Sequence, residues 1–328
     1  MQLEDYQPRW SEDFLSLANP LSRILGDNLT AIYHIGSTAV PGLCAKPVID
    51  VMPVVFELSA VDHLQTHLEG LGYRWRHENG MAGRRYLTRD QDRQGAQGSL
   101  ASDRQPHPLL PGCHVHIFDA FSPEVEKHLA FRDALRRDLQ LRDRYAAVKR
   151  DLAQRLPRDR KSYQSGKAPF IASLTAEALA GEGSVRLPIQ VCVWITSAYQ
   201  GKRHYLLLKR SPDAGGFWQG VTGAPYPTES LSEAAAREVL EETAITCPHA
   251  PCPIGVRYKF PVSPEWKKSY RPEVLQIVEE VFRVELPAKS QPELSTERVE
   301  WKWVDAATAV PMLRWPNNVA ALRVLDKT

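Results

Sequence analysis

The sequence predicts an α/β protein of two domains, each built from a mixture of strands and helices. Three observations predict it. The 328 residues exceed what one hydrophobic core ordinarily encloses. In both halves, short apolar runs of strand length are interleaved with helical patterns, as in layered α/β proteins. Between the halves, residues 180–186 (AGEGSVR) are small, polar and glycine-containing, the composition of a linker. The expected bodies are residues 1–180 and 188–328, with the linker over 181–187.

Composition narrows the class. Hydrophobic residues at 43% and charged residues at 24% are those of a soluble globular protein. A net charge of +2 gives no case for a nucleic-acid or membrane partner. The five cysteines are odd in number and include no C-x-x-C pair, which argues against a disulfide framework or a structural zinc site. The opening MQLEDYQPRW lacks a basic-then-apolar signal pattern, and no apolar run approaches the roughly 20 residues of a membrane span. A cytoplasmic location is expected; the sequence leaves the oligomeric state open.

Taken in order, residues 10–25 read as a helix interrupted near Pro20. Residues 30–35 (TAIYHI) and 48–55 read as strands around the turn-rich GSTAVPGLCAKP. A helix over 59–70 and a strand over 73–75 continue the alternation. Residues 90–112, rich in Gln, Gly, Ser, Asp and Pro, read as a long loop. A strand over 113–118 leads into a largely helical stretch over 123–180. Gly36 and Ser37 follow a strand and can present a hydroxyl and backbone N–H groups to a phosphate. Asp50 lies in the next strand, and the spacing of two puts His114 and His116 on one face of a third. Singly, each also fits an ordinary turn or hydrogen-bonded structure.

In the second half, residues 189–196 (IQVCVWIT) and 204–208 (HYLLL) read as strands around a turn over 198–202. Lys209 and Arg210 follow directly with positive charge, and GGFWQGVT leads into Gly223, with Phe217 and Trp218 as core or pocket walls. Residues 223–245 are GAPYPTESLSEAAAREVLEETAI. Ser230 with Glu233 three residues on marks a helix start. At about 100° per residue the following helix gathers Glu238, Glu241 and Glu242 on one side and Ala236, Val239 and Leu240 on the other. Ala234 and Ala235 are expected to flank the acids and leave room for a substrate. Acids four apart repel by a few tenths of a kcal/mol, so the patch calls for a cation, and Mg²⁺ is commonly shared by carboxylates and substrate phosphates. Arg237 can hold Glu241 from the side. Residues 274–286 read as one or two strands and 300–304 as another.

The run from Gly223 to Ile245 resembles the Nudix box, G-x5-E-x7-R-E-U-x-E-E-x-G-U, matching at every position except Ala244, where the box has Gly. FWQGVTG, LSTER (294–298), WKWVDA (301–306) and the ending from Trp315 are similar to the branch containing dATP and dihydroneopterin triphosphate pyrophosphohydrolases. The resemblance implies an α/β/α sandwich. It also implies Mg²⁺, with Mn²⁺ as the alternative, on Glu238, Glu242 and Glu297, with Arg298 replacing the histidine that follows the distal acid. Glu241 would bind metal or orient water, and Glu241 or Glu297 would accept the proton. Arg237 would support the catalytic acids. Lys209, Arg210, Thr222 and Gly223 would contact substrate. Glu279 and Glu280 are the alternative for the distal acid. Hydrolysis of a small-molecule nucleoside or pteridine triphosphate to monophosphate and pyrophosphate is the implied reaction.

HIGSTAVPGLCAKPVID (34–50), CHVHIFD (113–119), HLAFRDALR (128–136) and RYAAVKRDLA…YQSGKAPFI (144–171) resemble the GrpB-like family. That family has the polymerase-beta-type nucleotidyltransferase fold, which implies a mixed sheet with helices. Two-metal nucleotidyl transfer uses a D-x-D pair, and Met52 stands at its second position. The expectation is therefore a nucleotide or phosphorylated-ligand site using Gly36, Ser37, Lys46, Asp50, His114 and His116. The rival readings for the chain are a nucleotidyltransferase acting through this half and a ligand-sensing module whose Nudix fold binds without cleaving.

Overall fold

The computed structural model describes residues 2–90, 111–181 and 186–327. Most of the expected loop over 90–112 and of the expected linker over 181–187 lies outside the described residues. The chain divides into two compact units, one comprising Met1–Ser184 with Pro272–Leu275, the other Val185–Arg271 with Gln276–Thr328.

The first unit starts with α1 (Arg9–Leu25), whose Trp10, Leu17, Leu21 and Leu25 recur at helical spacing and are buried. Pro20 does not interrupt it. The carbonyl that loses its partner belongs to Ser16, on the exposed face, where water can take the bond. There follow β1 (Leu29–Ile35), β2 (Ile49–Val55), α2 (Ser59–Asp62), α3 (Gln65–Gly70), β3 (Arg74–Trp75), β4 (Arg84–Arg89), β5 (Cys113–Asp119), α4 (Pro123–Arg137), α5 (Leu139–Arg155) and α6 (Arg160–Ala180). The expected single helix over 59–70 is thus two short ones. Strand β4, RRYLTR, was hidden by its charges, although Tyr86 and Leu87 are buried.

The sheet order is β1-β2-β5-β4-β3, with β2 and β5 parallel at its centre. Alternation sorts the central strands cleanly. Ile49, Val51, Val55, Cys113, Val115 and Ile117 pack with α1 in one apolar core. Asp50, Met52, His114 and His116 therefore point to the opposite face. A second core unites Val40, Leu43 and Cys44 with Ala134 and Leu135 of α4, Tyr145 of α5 and Leu174 of α6.

The second unit contains β6 (Ile189–Tyr199), β7 (Lys202–Arg210), β8 (Trp218–Gln219), β9 (Val221–Gly223), α7 (Leu231–Thr243), β10 (Cys252–Pro261), β11 (Gln276–Leu286), β12 (Arg298–Asp305), α8 (Ala306–Ala309) and α9 (Pro316–Leu325). The sheet runs β10-β11-β6-β7-β12, with β8 beside β7 and β9 beside β6. Strands β6 and β7 meet through a two-residue turn, Gln200-Gly201, both at positive φ, the turn whose twist matches an antiparallel pair. One face carries Val193, Leu206 and Leu208 against Ala234, Ala235 and Val239 of α7. The other carries Trp194, Tyr205 and Leu207 against Leu322 and Leu325 of α9. This is an α/β/α sandwich. Strand β10, not anticipated, is irregular between Pro253 and Arg257, where Gly255 adopts a positive φ.

Candidate active site

In the second unit the site is assembled around the start of α7. The Ser230 hydroxyl accepts from the Glu233 backbone N–H at 3.2 Å and Glu233 accepts from the Ser230 N–H at 2.8 Å, a reciprocal cap that fixes where the helix begins. The buried side of α7 is Ala234, Ala235, Val239, Glu242 and Thr243, whereas Leu240 is 50% exposed. The expected division into opposed acidic and apolar faces therefore does not hold for Glu242. It lies on the sheet-facing stripe, and the fully buried Ala234 and Ala235 let the helix approach the sheet rather than making room for substrate. At the far end, Ala244 takes the left-handed conformation, φ 54°, that a glycine would adopt without strain.

The Glu238 carboxylate packs directly on Gly223. A Cβ there would stand 1.8 Å from Cδ of Glu238, so the carboxylate occupies the space that any side chain would need. Arg237 clasps the acids from the loop side. It donates to both Glu229 oxygens at 2.9 and 3.0 Å, to the Ala224 carbonyl at 2.9 Å, to Glu238 at 2.8 Å and to Glu241 at 3.0 Å. Burial pushes the Glu238 carboxyl up despite that arginine. Glu241 stays open to solvent, with a side chain 52% exposed.

Glu242 is the most deeply buried of these acids, and Arg298, itself enclosed, donates to its Oε1. Its Oε2 is buried with no partner. Burial, reinforced by Glu238 and Glu297 and opposed by Arg298, pushes its carboxyl up to about 7. The amide oxygen of Gln219, turned toward Arg298, accepts from it at 3.0 and 3.2 Å and from the Thr222 hydroxyl at 3.0 Å. Arg210 ends β7 on the α7 side of the sheet, 3.4 Å from the exposed Glu297 carboxylate. Lys209, its neighbour in the strand, lies on the other face, 3.0 Å from Glu300 and 5.8 Å from the Trp218 ring. Glu279 also faces away, bonded to Gln190 at 2.6 Å and Asn317 at 2.9 Å, and Glu280 is 3.7 Å from Arg257.

Sequence reasoning missed Arg298 and Gln219 as parts of this centre. The signal for Arg298 was its position, since a guanidinium directly after the distal acid on a strand that enters the sheet must find a carboxylate if buried. Among the described residues no three acidic, His or Cys side chains already stand as a metal cage. The donor set nonetheless fits a hard divalent cation. Glu242 Oε2 is a buried oxygen lacking any donor, beside two further carboxylates whose charge Arg210 and Arg298 offset only in part.

The first unit holds a different carboxylate centre. Gly36, at φ 71°, abuts Asp50 so closely that a Cβ would lie 2.3 Å from Oδ2. Parallel pairing sets Asp50 level with His114, whose Nδ1 is 3.1 Å from Oδ1, and His116 Nε2 is 3.6 Å from the same oxygen. Burial would raise the Asp50 carboxyl. The hydrogen bonds and charge of His114 and His116 outweigh it and hold the group well below the carboxylate range. Ser37 opens a short turn beside it. Lys46 lies 5.1 Å from the Tyr163 ring, and Met52 is fully buried. His34 stacks on Phe14 at 4.9 Å and bonds to Thr38 at 3.0 Å, with burial lowering its pKa to about 4. Tyr163 and Lys167 belong to this neighbourhood and were not singled out from the sequence.

All five cysteines are free thiols, and no described helix is long and apolar enough to cross a membrane. Comparison with known proteins divides the chain in the same sense. A family model described as GrpB protein matches residues 1–177, and one described as NUDIX domain matches residues 188–326. The UPF0157 protein YqkA of Bacillus subtilis is 32% identical over 173 residues, 53% of this chain and 46% of that protein, so the chain spans about half the length of this relative. The dihydroneopterin triphosphate diphosphatase of Escherichia coli is 31% identical over 144 residues, 40% of this chain and 89% of that protein. The crystal structure of conserved protein GrpB from Enterococcus faecalis is 36% identical, with 54% of this chain and 96% of that one covered and a TM-score of 0.46.

Proposed function

The chain belongs to the GrpB family through residues 1–177 and carries a Nudix domain over residues 188–326, and on that premise we propose that its second half is a divalent-cation-dependent pyrophosphohydrolase. Its substrate class is a pteridine triphosphate, as the name of the Escherichia coli relative suggests, or a nucleoside triphosphate, and its products are a monophosphate and pyrophosphate. The observation that carries the reading is the buried, partnerless Oε2 of Glu242 next to Glu238 and Glu297.

Glu238, Glu242 and Glu297 would hold Mg²⁺, or Mn²⁺ in its place. Such an ion neutralises phosphate charge and makes a water nucleophilic near neutral pH. The chain supplies the rest. Arg210 meets the phosphates from the end of β7. Thr222 orients Gln219, which with Glu242 fixes Arg298. Glu241 and Glu297 are the solvent-open acids able to take a proton from the attacking water. Arg237 sets the loop from Gly223 and the first acids in register. Lys209, on the opposite face, is not part of the phosphate clamp.

The test is release of pyrophosphate from a panel of nucleoside and pteridine triphosphates, with and without Mg²⁺, read by mass spectrometry. Glu242→Gln is expected to lower turnover about 100-fold or more. Unchanged turnover in that variant, or no cleavage of any compound, overturns the reading. For the first unit we propose a site for a nucleotide or other phosphorylated ligand, using Gly36, Ser37, Lys46, Asp50, His114 and His116. The buried Met52 at the second acid position supports binding over two-metal transfer.

A further inference from the structure

The first unit concentrates positive charge on the helix side of its sheet beyond what the Asp50 cluster uses. Lys46 lies in the loop before β2, Lys149 on α5 and Lys167 on α6. Lys46 Nζ is 5.1 Å and Lys167 Nζ 4.7 Å from the centre of the same Tyr163 ring. Lys149 is 2% exposed and donates to the Cys44 carbonyl. An ammonium has three donors, so that contact leaves it short of acceptors. None of the three lysines is paired with a carboxylate among the described residues.

They also work against one another. Burial lowers the proton affinity of Lys167, and Lys46 and Arg160 lower it further. Burial lowers that of Lys149 to about 8, with Lys167 adding to the effect. Asp50 is the acid within reach of both, and its charge is already engaged by His114 and His116. A partly buried, self-repelling set of ammonium groups costs stability unless an anion joins it. Several converging N–H donors with two or more positive charges suit a tetrahedral dianion better than a planar monoanion.

We propose that Lys46 and Lys167, which share the Tyr163 ring, seat the phosphoryl group of a small phosphate monoester or diphosphate beside Asp50, His114 and His116, with the charge of Lys149, enclosed 5.5 Å from the Tyr145 ring, adding to the field there. This rests on the reading that the first unit binds a phosphorylated ligand, and it says which residues hold the phosphate.

The test is calorimetric titration of the full chain with inorganic pyrophosphate and, separately, with AMP, in the presence of a chelator so that the acids of the second unit carry no metal. Lys46→Gln and Lys167→Gln are each expected to weaken binding about tenfold, while Lys161→Gln, at an exposed position of α6, leaves it unchanged. Both positions are partly exposed, so the variants are checked by thermal melting and tolerated folds are expected. Binding of both probes with that lysine dependence supports the seat and shows that the anion alone suffices; binding of AMP alone supports it with a nucleotide as ligand. Loss of affinity in Ser37→Ala but not in the lysine variants overturns the seat and leaves the phosphorylated-ligand reading standing. Absence of binding by the unaltered chain overturns both, and an equal loss in Lys161→Gln overturns the assignment to Lys46 and Lys167.

Discussion

The two carboxylate centres share a steric device and differ in electrostatics. In each, a glycine makes way for an acid: Gly36 for Asp50, where a Cβ would lie 2.3 Å from Oδ2, and Gly223 for Glu238, where it would lie 1.8 Å from Cδ. In the first unit two imidazoles hold the acid well below its usual range. In the second, burial and neighbouring acids push Glu242 up to about 7 even with Arg298 in contact. Close packing of a carboxylate on glycine therefore does not define a site's chemistry. A carboxylate with its charge already matched leaves nearby lysines free to take an anion, whereas carboxylates in excess of their arginines call for a cation.

The largest test of that contrast is to remove the counter-charge. Arg298→Met leaves Glu242 buried without its partner and should cost about 3–5 kcal/mol in urea denaturation. His114→Asn should cost less, about 1–3 kcal/mol, because His116 remains beside Asp50. Equal losses would dissolve the distinction. Next come the glycines. Gly223→Ala displaces Glu238 and should lower turnover about 10–100-fold with little change in anion affinity of the first unit, and Gly36→Ala should do the reverse while costing about 1–3 kcal/mol through its positive φ.

A pH series sharpens the Asp50 side. Because its folded proton affinity lies below that of an unfolded aspartate, near pH 3.9, its charge stabilises the fold fully above that pH. The contribution is lost as pH falls through the lower folded value. The stability gap between the natural chain and Asp50→Asn should be on the order of 2 kcal/mol just above about pH 4 and shrink below it. A gap that closes well above about pH 4 would take the effect away from Asp50. The smallest effect is at the end of α7. Ala244 holds φ 54°, so Ala244→Gly should raise stability by about 1 kcal/mol and leave turnover as it was.

The sequence made the local parts of this molecule readable. The Ser230–Glu233 cap, the spacing from Gly223 to Glu242 and the pairing of His114 with His116 on one face all depend on residues a few positions apart. What it concealed depends on long-range register. Asp50 meets His114 because β2 and β5 pair in parallel, and Arg298 meets Glu242 across 56 residues. The opposition of Lys209 and Arg210 was available from strand alternation, yet adjacency in sequence suggested a joint clamp. Strands β4 and β10 were obscured because charges in the one and a bulge in the other blur the period of two. Pro20 misled for the opposite reason, since a broken backbone bond at an exposed carbonyl costs the helix little.

The parallel pairing of β2 with β5 has a bearing on how the first unit comes together. Asp50 and His114 are 64 residues apart in the chain, and no hairpin can bring them level. Closing so long a segment must precede any gain from the contact, which slows strands of this kind relative to local ones. The β6–β7 hairpin of the second unit, closed by Gln200-Gly201, needs no such search and forms in about 1–10 μs in isolated examples. Refolding should therefore register the second unit's hairpin early, and the appearance of the Asp50–His114 contact should mark the completion of the first unit's sheet.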